Sequence, residues 1–490
     1  MPRYVSAHDV TLYWAGLTGC CTAMATVYFW RGSAAEPWTE GIGWVIGLGW
    51  LMVVMTLVAL VVTLARGLHG DGPKGWLVAA VCAVLGVVPA YFIAGWMLTP
   101  PPPGDPASPE LRPAWTASDP TGGGKAVAIW QQGETVVRVR EDGLTAYRAG
   151  DGTRLWTLAT PARETVCAAG TDPAGTVAAV ALSRSLGECE SVRAVDLGSG
   201  TWAWGERVVK ITDAVDRERR GHQLAVTGGT VLIAEEERLR AVKASDGTEL
   251  WSGPAAKNCD NLAVAATGAK VALVEYCPGT YPQGTTALRM LGAADGKEAW
   301  RTSLGTETRL TALQLLSVQP PVVRVQEQDG AGVHGVLSLS EKGAVRAVVK
   351  DGAGPDLRLV LEPNNQSISA PGLRAVVTGD QLVAAVKVRG LGEAVAAFSL
   401  ADGAQRWLVD AGSGAYGLAA GTDGVLALTD YGYDNQLLRI DPQNGSVRSR
   451  QVLPTGQSSA TAWLGGTASR TLIGYGLYDP SVPVLRGLPR

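Results

Sequence analysis

One phrase recurs seven times in this chain, and its period restricts the fold more than any other feature. It reads GLTAYRAGDGTRLW at 143–156, SVRAVDLGSGTWAW at 191–204, RLRAVKASDGTELW at 238–251, ALRMLGAADGKEAW at 287–300, VLSLSEKGAVRAV at 336–348, AVAAFSLADGAQRW at 394–407 and LLRIDPQNGSVRSR at 437–450. The turn glycines are Gly152, Gly200, Gly247, Gly296, Gly343, Gly403 and Gly445, spaced by 48, 47, 49, 47, 60 and 42 residues. Most copies read as an alternating strand, an Asp-Gly, Asn-Gly or Ser-Gly turn and a second strand, with glycine supplying the positive φ of a tight hairpin. In five of them the second strand ends in Trp: Trp156, Trp204, Trp251, Trp300 and Trp407. A ring recurring at one place in a repeat is expected to wedge between neighbouring units and bury a large apolar area. That accounts for 16 Trp beside only 3 Phe.

A period of about 47 residues is that of a four-stranded blade in a toroid. The region 112–490 divided by that period gives about eight blades, and the chain ends supply the one that the seven phrases leave out. PAWTAS at 113–118 reads as a last strand bearing Trp115, whereas ATAWLGG and TLIGYGLY within 460–478 read as inner strands lacking a last one. Joining them closes the ring and removes an exposed sheet edge. The expected fold is all-β: an eight-bladed β-propeller of four-stranded blades, with seven blades as the alternative. The extra residues 351–369 are expected to form a loop protruding between blades five and six. Trp130 and Trp463 fall on innermost strands of adjacent blades, where they pack between blades or are candidate contacts for a flat ligand in the central funnel.

Ahead of the repeats, residues 10–30, 41–65 and 76–98 are apolar stretches of about 21 to 25 residues, and roughly 20 suffice to cross a bilayer as a helix. Trp30, Trp44, Trp76 and Trp96 stand at or near their ends, where an amphipathic ring favours the headgroup level. The expected organisation is an α-helical region of three transmembrane helices at 1–98, a Pro-rich linker at 99–111 and the propeller at 112–490. Leu17-Thr18-Gly19-Cys20 also resembles a lipoprotein signal, but Asp9 interrupts its apolar core and the run continues to Trp30. Arg3, Arg66 and Lys74 against Arg31 in the short loops place the amino terminus in the cytoplasm and the propeller outside. Gly41, Gly43, Gly47 and Gly49 suit close packing of the second helix.

Cys20, Cys21 and Cys82 lie in these spans, leaving Cys167, Cys189, Cys259 and Cys277 in the propeller. An even, closely paired set points to disulfides in an oxidising compartment. Cys259 and Cys277 flank two strands about a Thr267-Gly268 turn, so their sulfurs fall opposite each other. Cys167 and Cys189 are read as bridging a similar hairpin with a longer exit loop. With 42 Lys and Arg against 45 Asp and Glu, the net charge of −3 supplies no field to recruit nucleic acid.

The phrase LRAVKASDGTELW resembles the repeat of the PQQ-like, or quinoprotein alcohol dehydrogenase-like, β-propellers, and the likeness covers about three quarters of the chain. That family includes dehydrogenases, a non-catalytic outer-membrane assembly lipoprotein and sensor domains of membrane kinases. In its dehydrogenases the quinone is held between a disulfide of adjacent cysteines and a Trp, beside calcium and an Asp base. Here no adjacent cysteines, carboxylate cluster or C-x-x-C-H haem motif occurs after residue 98, so no cofactor, no metal and no enzyme activity is expected. His222 and His334 read as solvated or structural, and Glu235, Glu236 and Glu237 as a solvated edge. Together with the spans, the loop charges and the cysteines, this reads as a bacterial plasma-membrane protein whose extracytoplasmic propeller is a scaffold binding envelope proteins or ligands on its loop face. The alternatives are a ligand sensor coupled to a membrane partner and, more remotely, a PQQ-dependent dehydrogenase.

Overall fold

The computed structural model describes residues 111–490 except 119–125, 173, 185–188, 212–222, 280–282, 309, 328–331, 353–356, 362–373, 391, 413, 422, 432–433, 454–461 and 476–482. The expected membrane spans, linker residues 99–110 and His222 lie outside the described residues. By its contacts the chain divides into Met1–Pro106 and Ala107–Arg490. No helix among the described residues is long and apolar enough to cross a membrane.

The described residues form eight antiparallel sheets, each one blade of a propeller. In chain order blades 1 to 7 occupy residues 126–159, 165–211, 224–254, 260–303, 310–350, 357–410 and 414–452. Blade 8 combines Ala462–Gly466, Arg470–Tyr475 and Leu485–Pro489 with Trp115–Ala117 as its outermost strand. Trp115 pairs with Gly487, Thr116 with Arg486 and Ala117 with Leu485. The ring is thus closed by its own amino-terminal strand.

The core is divided among the seams. Eight buried clusters occupy the eight inter-blade spaces. A middle strand faces such a cluster on both sides, which is why Thr230–Glu235 (TVLIAE) is buried throughout instead of alternating. Outermost strands such as Glu249–Pro254 alternate because only one face is covered.

Each blade presents the turns joining its first to second and third to fourth strands on one face of the ring, called here the turn face. The opposite face carries the links between second and third strands and the connections from blade to blade. We call it the connection face.

On the turn face the repeated phrase makes a physical latch. The indole Nε1 of Trp115, Trp156, Trp204, Trp251, Trp300 and Trp407 donates to Ala149, Leu197, Ala244, Ala293, Glu341 and Pro442 carbonyls of the next blade, at 2.7 to 3.1 Å. The ring lies against the turn glycine of that same blade. At Gly200 a Cβ would sit 2.4 Å from the Trp156 ring, and the backbone φ is +68°. Two demands therefore coincide on one residue, left-handed backbone and room for an indole. Gly200→Ala is expected to lose about 2 kcal/mol or more in urea unfolding, from the positive φ and the displaced ring together. Gly150→Ala, in the corresponding turn of blade 1 and with open space around its Cβ, is the control and should be near neutral.

Two seams lack the indole. Ala347 in blade 5 and Ser449 in blade 7 occupy the register position that Trp407 holds in blade 6. At the seam between blades 5 and 6 the turn closes directly on backbone, with the Cβ position of Gly403 only 2.7 Å from the Val348 carbonyl oxygen.

Three expectations need correction. Residues 351–369 are not simply a loop between blades, because Leu357–Leu359 pairs with Val388, Lys387 and Val386 as part of blade 6. Ala375–Thr378 pairs further along the same strand, so the inner strand of this blade is split in two. Cys167 and Cys189 are bonded, but across the first and third strands of blade 2 instead of within one hairpin. The bulge at Cys167 lets its Cα come within 6.1 Å of its partner. Glu236 and Glu237 are solvated to different degrees, whereas Glu235 is buried and bonded to Arg238 and Arg240.

Candidate functional site

The connection face concentrates the polar chemistry of the molecule. Its disulfides join Cys167 to Cys189 and Cys259 to Cys277, the latter with Cα atoms 4.0 Å apart at the mouth of the blade 4 hairpin. Around them, buried carboxylates hold the chain where it passes from one blade to the next. Glu275, fully buried at the end of a second strand, accepts from the Ala256 backbone N–H at 3.1 Å and from Arg289 at 2.6 Å, with Arg301 at 3.0 Å. Glu327, at the equivalent place in blade 5, accepts from the backbone N–H groups of Glu307 and Thr308 at 2.7 Å and from that of Val333. Glu393 accepts from the Ala415 N–H at 2.8 Å and from Arg374 at 2.5 Å.

A buried carboxylate is tolerated when charged or backbone donors replace the water it has lost. For Glu327, burial raises the pKa, but the N–H groups of Val333, Thr308 and Glu307 outweigh it and leave the carboxyl below its ordinary 4.5. A depressed folded pKa stabilises the fold at pH above the unfolded value, and that contribution is lost as pH falls through the folded one. Asp246 at a turn follows the same sign, lowered to about 2 by the Thr248 hydroxyl and N–H and by Lys243. The propeller is therefore expected to lose thermal stability as pH drops below about 4.5, and Glu327→Gln should flatten that slope. Thermal scans from pH 7 to pH 3 read the difference.

At the inner edge of this face, next to the axis, Tyr416 donates to Asp430 at 3.0 Å beside the Arg374–Glu393 pair. Burial and the bond to Asp430 push the Tyr416 hydroxyl up, so it acts as a donor here and not as a base.

Trp130 and Trp463 sit on inner strands but are not brought together. Trp130 packs into the seam between blades 1 and 2, Trp463 into that between blades 8 and 1. The residue joining those blades is Gln131, whose amide both donates to the Gly466 carbonyl at 2.8 Å and accepts its N–H at 2.9 Å. His334 opens the third strand of blade 5 and is half-buried. No group of three metal-ligating side chains occurs among the described residues.

A concavity of about 1420 Å³ runs over the connection face and outer side of blades 5 and 6. It is lined by Lys350, Arg358, Lys387 and Arg389, and by the exposed Val345 and Val348. No periodic signal announced these residues, or the carboxylate latches. Their partners lie on other strands, and the repeat phrase stops short of the connection face.

Fold and repeat together define a PQQ-like propeller. The sequence model described as "Outer membrane protein assembly factor BamB" matches residues 188–451, more than half of the chain, and the chain belongs to that family. No functionally curated protein matches. Among solved structures, BamB from Moraxella catarrhalis shares 11% identity over 78% of this chain and 98% of its own, with a TM-score of 0.43. The Dos1 propeller shares 12% over 77% and 94%, with a TM-score of 0.45. Two prolyl endopeptidases are represented by a chain at 14% over 72% and 53%, with a TM-score of 0.43.

Proposed function

We propose that this protein is a membrane-anchored, extracytoplasmic scaffold that binds envelope proteins without catalysing a reaction on them. The observation that carries this reading is the use made of the buried acidic groups. Glu275, Glu327 and Glu393 are each committed to the backbone of a blade connection. Their chemistry holds a rigid platform in place, and the groups left outward are those of a recognition surface. Family membership supports the same reading, since the matching family is described as an assembly factor. The two disulfides favour an oxidising compartment, in keeping with a propeller outside the plasma membrane and three helices that anchor it.

The test is site-specific photo-crosslinking of the full chain in native membranes. Probes at Glu237 and Lys387 report on the connection face, and probes at Lys342 and Gln443 on the turn face. Discrete protein adducts from the first pair and none from the second are the expected result. Alcohol-dependent dye reduction after adding pyrroloquinoline quinone and calcium, with no adduct from either pair, would replace the scaffold by a dehydrogenase.

A further inference from the structure

We propose that the cleft over blades 5 and 6 is a docking groove for an acidic, extended peptide segment of a partner protein. This rests on the scaffold reading and adds to it a place and a chemistry.

The first observation is a charge imbalance. Lys350, Arg358, Lys387 and Arg389 line the cleft, and the carboxylates that line it among the described residues, Glu327 and Asp351, are already engaged. Glu327 is bound by backbone N–H groups, and Asp351 accepts from the Leu359 N–H at 3.0 Å. The side chains of Lys350, Arg358 and Lys387 form no hydrogen bond or ion pair among the described residues. The second observation is register. Arg358 and Lys387 are direct cross-strand partners, so two cations stand side by side on one face of a strand pair. Like charges so placed repel, and an incoming carboxylate relieves the repulsion.

The shape selects among anions. A volume of about 1420 Å³ exceeds what most small-molecule pockets enclose, and the cleft is open along its length. Among the described residues no Trp, Tyr or Phe lines it to stack on bases, which disfavours a nucleic acid. Val345 and Val348, 45% and 38% exposed, add an apolar border that suits the aliphatic residues of a peptide. This is also the seam where Ala347 replaces the latching indole and where the inner strand of blade 6 is split. A seam without the indole latch therefore carries this group of cations.

The experiment uses the full chain in nanodiscs of neutral lipid and a labelled peptide alternating Glu with Val, compared with the same peptide carrying Gln for Glu. Fluorescence anisotropy is expected to show at least about tenfold tighter binding of the acidic peptide, weakening as salt is raised. R358E combined with K387E should lower that affinity about tenfold or more, while K342E on the turn face leaves it unchanged. Thermal unfolding of both variants verifies the fold, since these side chains have no described partners to lose. Equal affinity for both peptides, or equal loss in K342E, overturns the proposal. Tighter binding to vesicles of phosphatidylglycerol through the same cations overturns it in favour of a membrane surface. If the peptide fails while the Glu237 probe still captures discrete proteins, the groove is wrong and the scaffold stands.

Discussion

Exchanging residues 113–118 for a Gly/Ser stretch of equal length is expected to destabilise the propeller by about 4 to 5 kcal/mol, roughly 5 °C for a domain of this size. The exchange removes Trp115, whose indole donates to Ala149 and whose ring meets both Gly152 and Gly487. It also strips the outermost strand from blade 8, exposing the Leu485–Pro489 edge. Loss of an equivalent indole at an interior seam, Trp156→Ala, removes a ring but leaves the circle joined, and should cost about 3 kcal/mol. The Gln131–Gly466 hydrogen bonds, the Arg470–Gly150 bond and the apolar packing of Ile129 and Leu472 then hold the opened seam. An open edge also templates association, so the exchanged protein should aggregate on heating while Trp156→Ala unfolds as a monomer. Calorimetry with light scattering measures both. A change no larger than that of Trp156→Ala would mean that the amino-terminal strand does not close the ring.

Replacing all four propeller cysteines by Ala should cost about 6 kcal/mol, about 3 for each bridge. The bridges close loops of 22 and 18 residues, and this constraint on the unfolded chain is the main source of the effect. They lie in blades 2 and 4 and share no partners, so the two contributions should add. Ala suits Cys189 and Cys259, which are both buried, Cys189 within the apolar cluster between blades 2 and 3. Thiol reductant should lower the wild-type transition by the same amount and leave the variant unmoved. If reductant changes nothing in protein purified without it, the bridges do not form in the cell, and the case for an oxidising compartment falls with them.

The parts of this fold that could be read in advance are those whose signals are local. A Ser-Gly turn followed four residues later by Trp is complete within one hairpin, as at Gly200 and Trp204, and repetition makes it visible. The closing strand was readable for a related reason, since a last strand without a blade and a blade without a last strand are complementary defects. The insertion at 351–369 misled because nothing in Leu357–Leu359 indicates that it will pair with residues nearly thirty positions later. Cys167 and Cys189 were paired rightly but placed wrongly, because the bulge that brings them together depends on three strands at once.

The sequence by itself determined the blade and pointed to the means of closure, since both depend on turn geometry and on apolar area that a short segment carries with it, and the structure decided for eight blades over seven. Only the tertiary structure decided which carboxylates are structural and which cations are left over. Glu275 and the exposed Glu341 look alike in the chain, yet one meets Arg289 and Arg301 from the neighbouring strands of its own blade and the Ala256 N–H of the link from blade 3. Lys350 belongs to blade 5, Arg358 and Lys387 to blade 6, and they share a cleft only because the ring places those sheets side by side. Electrostatic roles are set by distances between strands remote in sequence, and a linear chain does not contain those distances until it has folded.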